Sequence, residues 1–578
     1  VKRLVRIGVM GWWMLAMVVA VTAGVERASA QFSQALPTGS QCAVSPDDPG
    51  CGCDPEHSDC GCTSIMVGRL ASTDGSVMTA HSCDGNYRTW LQIEPRRENP
   101  PGARKPIYWG LLHTETPDDM RGVRLKGDIP EVEQTYAYFN VAYPAMNEKG
   151  LAIGEATIES MIGGRPELRN DEGLFLIENL QAIALERTAT AREAIQLIGE
   201  LVKEYGYGDW AECLTFADSK EVWHFEIMGA GPFEVGAVWA AARIPDGHVG
   251  VSANIPRISE LDLDDPDHYM ASENVFSLAE EMGWWDPESG EPFKWWKAYG
   301  RTDREGNLLP PYSTREFYIL STLAPSLNLS MDMEELPFSV KPDQKVSVRD
   351  VMRYYRETYE GTEFDMTRNL MVPDTTRRGE SGEGQPEMVR SPVVNNWSIV
   401  RDLRHLLNTL KPGTVERQRT IAVDRCSYSQ IIQARDWLPP EIGTIAWFSF
   451  DNPGQSPRIP IFAGVLALPE SFKVDCQHTY RTDSACWWYR RANRLAMIKW
   501  GWAREYIEGA VQEYEQRAFD ELPLIEQKAL ELRRSENGDD PLAYRKFLTR
   551  YTDGFARATM QRWWELGDFF WAGLARGW

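Results

Sequence analysis

Two β-prone apolar runs, residues 63–70 and 76–80, flank Ser72-Thr73-Asp74-Gly75, the pattern of a β-hairpin with a tight turn. A four-residue loop pairs Ala71 with Ser76, and antiparallel pairing then sets Thr63 opposite Asp84, with Cys62 beside them. A thiol, a carboxylate and the His81 imidazole are thereby expected at one end of a sheet. Residues 136–142 alternate, and Asn147-Glu148-Lys149-Gly150 marks a turn between strands. A helical period over 173–186 precedes a second helix from Thr190, where Thr190 and Glu193 form a capping box and Gly206 lies near the end. Runs 213–217 and 221–227 make a hairpin across Asp218-Ser219-Lys220, followed by strands at 238–242 and 248–253. Residues 346–359 read as a helix behind Ser347, strand-like runs return at 421–432 and 443–450, and the pattern is helical beyond Cys486. Strands, then helices, then strands predict an α+β fold and not alternating βαβ units.

The first thirty residues change the picture. Lys2, Arg3 and Arg6 precede an apolar run over 7–21, and Ala28-Ser29-Ala30 offers a small-residue cleavage site, the pattern of a secretory signal peptide. The run falls short of the ~20 residues a membrane span needs, so an exported protein without a stable span after signal removal is expected. Residues 31–61 have little hydrophobic period and read as a propeptide or linker. The 578 residues are 43% hydrophobic and 25% charged, which excludes wholesale disorder. A net charge of -23 argues against a nucleic-acid partner, since phosphate binding needs clustered Lys and Arg.

In an exported chain the 10 cysteines are candidates for disulfides. Cys51-x-Cys53 and Cys60-x-Cys62 around His57 carry one intervening residue where zinc pairs usually have two or more, so a disulfide-tied or disposable pro-segment is favoured over a metal site. Cys476 and Cys486 are expected to bridge a local loop, and Cys213 and Cys426 to be buried thiols. A solvated loop is the reading for the acidic stretch around Asp262, Asp264, Asp265 and Asp267, which lacks the glycine and terminal Glu of a calcium loop. Cys62 with His81 and Asp84 nearby fits a cysteine hydrolase; a disulfide partner is the other reading of the same cysteine.

Cys62-Thr-Ser-Ile-Met-Val-Gly with Ala71-Ser-Thr-Asp-Gly-Ser-Val-Met resembles the opening of the mature PepD-type cysteine dipeptidases, members of the N-terminal nucleophile (Ntn) hydrolase superfamily. These are relatives of the secernins, penicillin V acylase and bile-salt hydrolase. The resemblance continues in order through Ala145-Met-Asn-Glu-Lys-Gly-Leu-Ala-Ile, Glu221-Val-Trp-His-Phe-Glu, Trp239-Ala-Ala-Ala-Arg-Ile-Pro-Asp, Val251-Ser-Ala-Asn-Ile-Pro-Arg-Ile and Asp436-Trp-Leu-Pro-Pro-Glu-Ile-Gly-Thr-Ile-Ala-Trp. It implies a four-layer αββα Ntn sandwich over residues 62–472, with a mainly helical extension over 473–578. It also implies self-cleavage between Gly61 and Cys62, which frees an α-amine on the nucleophile. With a thiol pKa of about 8.5 and an α-amine pKa of about 7.7–8.0, that amine can serve as the base near neutral pH.

By the same resemblance Asp84 orients the nucleophile and its amine, Asn254 donates to the oxyanion, and Arg315 in Tyr312-Ser-Thr-Arg-Glu-Phe is an active-site cation. His81 stands where acylase relatives carry Arg, as a replacement cation or a local hydrogen-bonding group. Thr157 stands where they carry a second oxyanion Asn, and with Asn147 it is assigned to substrate binding. The expected function is an exported dipeptidase acting on dipeptides or short peptides, with no cofactor and no metal. An acylase of N-acyl amides is the alternative within hydrolases, and a non-catalytic cell-surface binding protein using its 22 Trp the alternative outside them. A homo-oligomer is left open.

Overall fold

The computed structural model describes residues 61–576 apart from 159–164, 232–233, 304–305, 375–386, 400, 478 and 535–539. The signal peptide, the pro-segment and its cysteines up to Cys60 lie outside the described residues. Two strands, β1 (Thr63–Val67) and β2 (Val77–Asp84), are buried along their whole length, as their apolar runs require of strands covered on both faces. They pair antiparallel in the middle of a seven-stranded sheet. On the β1 side lie β10 (Val249–Ser252) and β12 (Ser339–Val340); on the β2 side lie β13 (Cys426–Ala434), β14 (Ile445–Phe450) and β15 (Ile459–Phe462).

The hairpin register differs from the expected one by two residues: Thr63 pairs with Ser82, not Asp84. Strand β1 ends early because the chain turns away at Gly68, whose N–H donates to His248 O at 3.0 Å, while Leu70 and Ala71 donate to Asp246 O. A Cβ at Gly68 would come within 2.5 Å of Asp246 O, so the crossing needs glycine. The loop is therefore longer than four residues. An even offset keeps every side chain on its expected face.

A second, eight-stranded antiparallel sheet is built from β3 (Gln92–Glu94), β4 (Tyr138–Asn140), β5 (Met146–Asn147), β6 (Ala152–Thr157), β7 (Glu212–Ala217), β8 (Val222–Gly229), β9 (Ala237–Ile244) and β11 (Tyr269–Ala271). Strand β2 packs across β6 and β7, with Thr79 and Thr215 joined by a 2.5 Å hydroxyl contact. The strands expected at 238–242 and 248–253 are both present but belong to different sheets, because Pro245-Asp246-Gly247 carries the chain from one to the other.

Helices α1 (Ile177–Arg187) and α2 (Ala191–Tyr205) pack on the second sheet. The capping box at Thr190 is present, its side chain accepting from Glu193 N, and Gly206 ends the helix. Short helices α3 (Thr314–Leu323) and α4 (Val348–Tyr354) touch the first sheet. The helical C-terminal region consists of α5 (Ala485–Ile498), α6 (Trp500–Arg534) and α7 (Ala543–Ala575). It is fastened to the first sheet by buried polar pairs: Asn493 of α5 donates to Asp451 Oδ2, just after β14, at 3.0 Å, and Thr552 of α7 to Pro460 O of β15 at 3.0 Å. Cys476 and Cys486 are buried free thiols and not the expected disulfide. Cys213 and Cys426 are buried thiols as expected.

Candidate active site

Strand register assembles the site. The ladder between β1 and β10 pairs Ser64 with Ser252, so its continuation sets Cys62 level with Asn254. The ladder between β1 and β2 pairs Thr63 with Ser82, so its continuation sets Gly61 level with Asp84, and Gly61 N donates to Asp84 O at 3.1 Å. Cys62 lies at the mouth of β1, 1% exposed. Asp84 Oδ2 accepts from Ser82 Oγ at 2.9 Å and from Arg419 Nη2 at 2.8 Å. Ser82 Oγ also accepts from Thr63 N at 3.1 Å.

Two guanidinium groups converge on the peptide before Cys62. Arg315, in the first turn of α3, donates from Nη1 to Cys62 O at 2.7 Å, to Thr63 Oγ1 at 3.2 Å and to Gly61 O at 3.3 Å. Arg419 Nη2 also donates to Gly61 O. Asn254 has φ +67, the left-handed region that Asn tolerates better than most residues. Its Nδ2 donates to Thr157 O at 2.6 Å, and its Oδ1 is buried without a hydrogen-bond partner. The Asn254 amide lies against Gly61, where an added Cβ would stand 2.3 Å from Oδ1. Gly61 itself has φ +125, so both space and backbone conformation demand glycine there.

Beneath the sulfur is a carboxylate that the sequence reading passed over. Cys62 Sγ donates to Glu155 Oε2 at 3.6 Å, and Thr157 Oγ1 to Glu155 Oε1 at 2.9 Å. Glu155 is fully buried, as is its neighbour Glu212 on β7. Burial pushes the Glu155 carboxyl up to about 7. Burial and then the charge of Glu155 push Glu212 well above the usual carboxylate range. Burial, the adjacent Cys83 thiol and the charge of Glu155 push the Cys62 thiol well above its ordinary value, which favours the thiol over the thiolate.

His81 is brought to this cluster, but not as a cation. Burial pushes its imidazole down to about 4, its Nδ1 meets the Glu155 carbonyl oxygen, and the positive charge comes from Arg315 and Arg419 instead. Asn147 is corrected to a structural residue. Its Nδ2 donates to Leu185 O and Thr188 O, and its Oδ1 accepts from Lys149 N and Leu151 N, which uses its full hydrogen-bonding capacity. Thr157 does join the site, through both its carbonyl and its hydroxyl. The signal for Glu155 was a lone acid inside the otherwise buried small-and-apolar stretch of β6; Arg419 sits in a loop with no local pattern.

Among the described residues, two groups bring sulfur, nitrogen and oxygen atoms within 4.8 Å of one another: Cys62 with His81 and Glu155, and Cys213 with His224 and Glu226. In the second, Glu226 already accepts from His224, the N–H groups of Arg257 and Ile258, and the Trp295 indole, which leaves it poorly suited to a cation. A cavity opens next to Arg419, lined among others by Met366, Trp397, Arg404, Arg417 and Arg425.

Residues 61–515 match the model of Peptidase family C69. A "Probable dipeptidase" of Latilactobacillus sakei is 26% identical over 434 residues, covering 71% of this chain and 76% of that protein. A "Probable dipeptidase" of Salmonella dublin is 25% identical over 70% of this chain and 81% of its own length. A "Dipeptidase" of Bifidobacterium longum is 24% identical over 79% and 80%.

Proposed function

Because the chain belongs to peptidase family C69 and is a peptide-bond hydrolase, we propose that it is an exported cysteine dipeptidase whose nucleophile is Cys62, exposed by cleavage after Gly61. The observation that carries this reading is the register-built cluster of Cys62, Asp84 and Asn254, with Arg315 and Arg419 on the Gly61 carbonyl. The stacked antiparallel sheets with packed helices support an Ntn-type αββα sandwich. In the mature enzyme the α-amine of Cys62 takes the thiol proton, the sulfur attacks the scissile carbonyl, and water hydrolyses the thioester. Asn254 supplies an N–H to the oxyanion, a type of contact whose loss costs ~2.7–4 kcal/mol of barrier. Asp84 orients the amine.

The arginine-lined cavity beside Arg419 fits the free carboxylate that a dipeptide carries, since guanidinium forks match carboxylates. The signal pattern supports export, and no helix among the described residues is long and apolar enough to cross a membrane. The test joins intact-mass and N-terminal analysis to activity. The wild type is expected to begin at Cys62 and to hydrolyse Ala-Ala or Gly-Phe in preference to penicillin V. Cys62→Ala is expected to remain uncut and to lose at least ~10⁴-fold in turnover. A wild type left uncut yet active, or full turnover in Cys62→Ala, would refute the reading.

A further inference from the structure

An N-terminal nucleophile that uses its own α-amine as base cannot use it for the cleavage that creates it. In the uncut chain that nitrogen is an amide, with no basic lone pair. Burial and the negative neighbours of Cys62 keep its proton on sulfur, so a base in direct contact is required. Among the described residues one side-chain carboxylate accepts from the sulfur: Glu155 Oε2, at 3.6 Å. The electrophile is prepared on the other side, where Arg419 and Arg315 both donate to the Gly61 carbonyl oxygen.

We propose that Glu155 is the base of the maturation step, taking the Cys62 thiol proton while Arg419 and Arg315 hold the Gly61 oxygen as it becomes an oxyanion. This inference rests on the self-cleavage reading above and adds the groups that perform it. The proton moves from Sγ to Glu155 Oε2. The sulfur electron pair forms a bond to the Gly61 carbonyl carbon, and the carbonyl π pair moves onto oxygen between the two guanidinium groups. Collapse of that tetrahedral centre breaks the C–N bond, and the proton returns from Glu155 to the departing Cys62 nitrogen. The products are a free amine and a thioester of Gly61 on Cys62. Water hydrolyses the thioester, releasing the leader with a terminal carboxyl and restoring the thiol. Glu212 completes the arrangement: a neighbouring carboxyl pair holds one proton more readily than two charges.

The pH dependence follows from what faces Glu155: Cys62 at the mouth of β1, His81 and Cys83 on β2, Tyr143 before β5, Glu178 on α1 and Glu212 on β7. The base works ionised, so the maturation rate should rise with pH through about 7 and then level off.

The test follows first-order appearance of chain beginning at Cys62 by intact mass, from pH 5 to 9. Full-length wild type, Glu155→Gln, Glu155→Asp and Arg419→Ala are compared, with a thermal unfolding curve for each. Glu155→Gln should slow maturation ~10²-fold or more while still unfolding cooperatively, since general-base loss typically costs 10²–10⁴. The pH-dependent rise should vanish in Glu155→Gln and partly return in Glu155→Asp. Arg419→Ala should slow maturation at every pH. Hydroxylamine, which cleaves thioesters, should release leader from Arg419→Ala faster than from Glu155→Gln, because only the former retains the base that forms the thioester. A folded Glu155→Gln that matures at the wild-type rate and with the wild-type pH profile overturns the assignment while leaving self-cleavage intact. A wild type that is never cut before Cys62 removes both.

Discussion

Glu178 shows at the scale of one residue how much this interior asks of its ionisable groups. Both of its carboxyl oxygens are buried without a hydrogen-bond partner, and burial, then the charge of Asp209, pushes it up to about 8. An unfolded Glu titrates near pH 4.3. Between those two values the folded chain therefore holds a proton that the unfolded chain has released. Stability from this group is complete below the unfolded value and falls as pH rises toward 8. Glu178→Gln should raise the melting temperature at pH 8.5, change it little at pH 4.5, and flatten the decline between. Glu155 and Glu212 contribute slopes of the same sign, so the decline should not vanish. His81, held down to about 4, acts in the opposite sense: its stabilisation is present above its unfolded value and is lost as pH falls toward 4.

Among the elements, α2 and the central hairpin show what the chain discloses and what it hides. The capping box of α2 was legible because it is local: Thr190 Oγ1 accepts from Glu193 N, and Glu193 Oε2 accepts from Thr190 N. Thr190→Ala should cost about 1 kcal/mol, measurable as a lower urea midpoint. The hairpin was legible as to its strands but not its register, because register depends on a partner far along the chain. Gly68 turns off toward Asp246 and His248, a contact that no window of neighbouring residues contains. The candidate site divides in the same way. Cys62, Asp84, Asn254 and Arg315 stood in quotable motifs, and all four meet in space. Arg419 arrives from a loop more than three hundred residues away, and Glu155 looked like one polar position in a strand until β2 and β6 were stacked. Asn147 misled because its motif serves the turn, where its amide ties β5 to the end of α1.

For the whole molecule, the C-terminal helices are part of the body. Besides the bonds of Asn493 to Asp451 and of Thr552 to Pro460, Arg545 of α7 forms a 2.7 Å ion pair with the nearly buried Glu148 in the turn after β5. Glu148 also accepts from Arg96 and from Ala137 N. The turn that supplied one of the most recognisable sequence blocks is thus an anchor between the second sheet and the last helix.

The bond before Cys62 lies one step beyond the first residue of β1, outside every paired position of the seven-stranded sheet. Under the proposed maturation, scission there would sever the leader as a cut rope end leaves the knot tied. The contacts directly at stake are those of Gly61: its N–H to Asp84 and its oxygen to two arginines. Newly released and uncut chains should therefore melt within a few degrees of each other, and a calorimetric scan of the two forms would measure the difference. Maturation in this protein would then be a chemical event on a finished scaffold, with no second round of folding behind it.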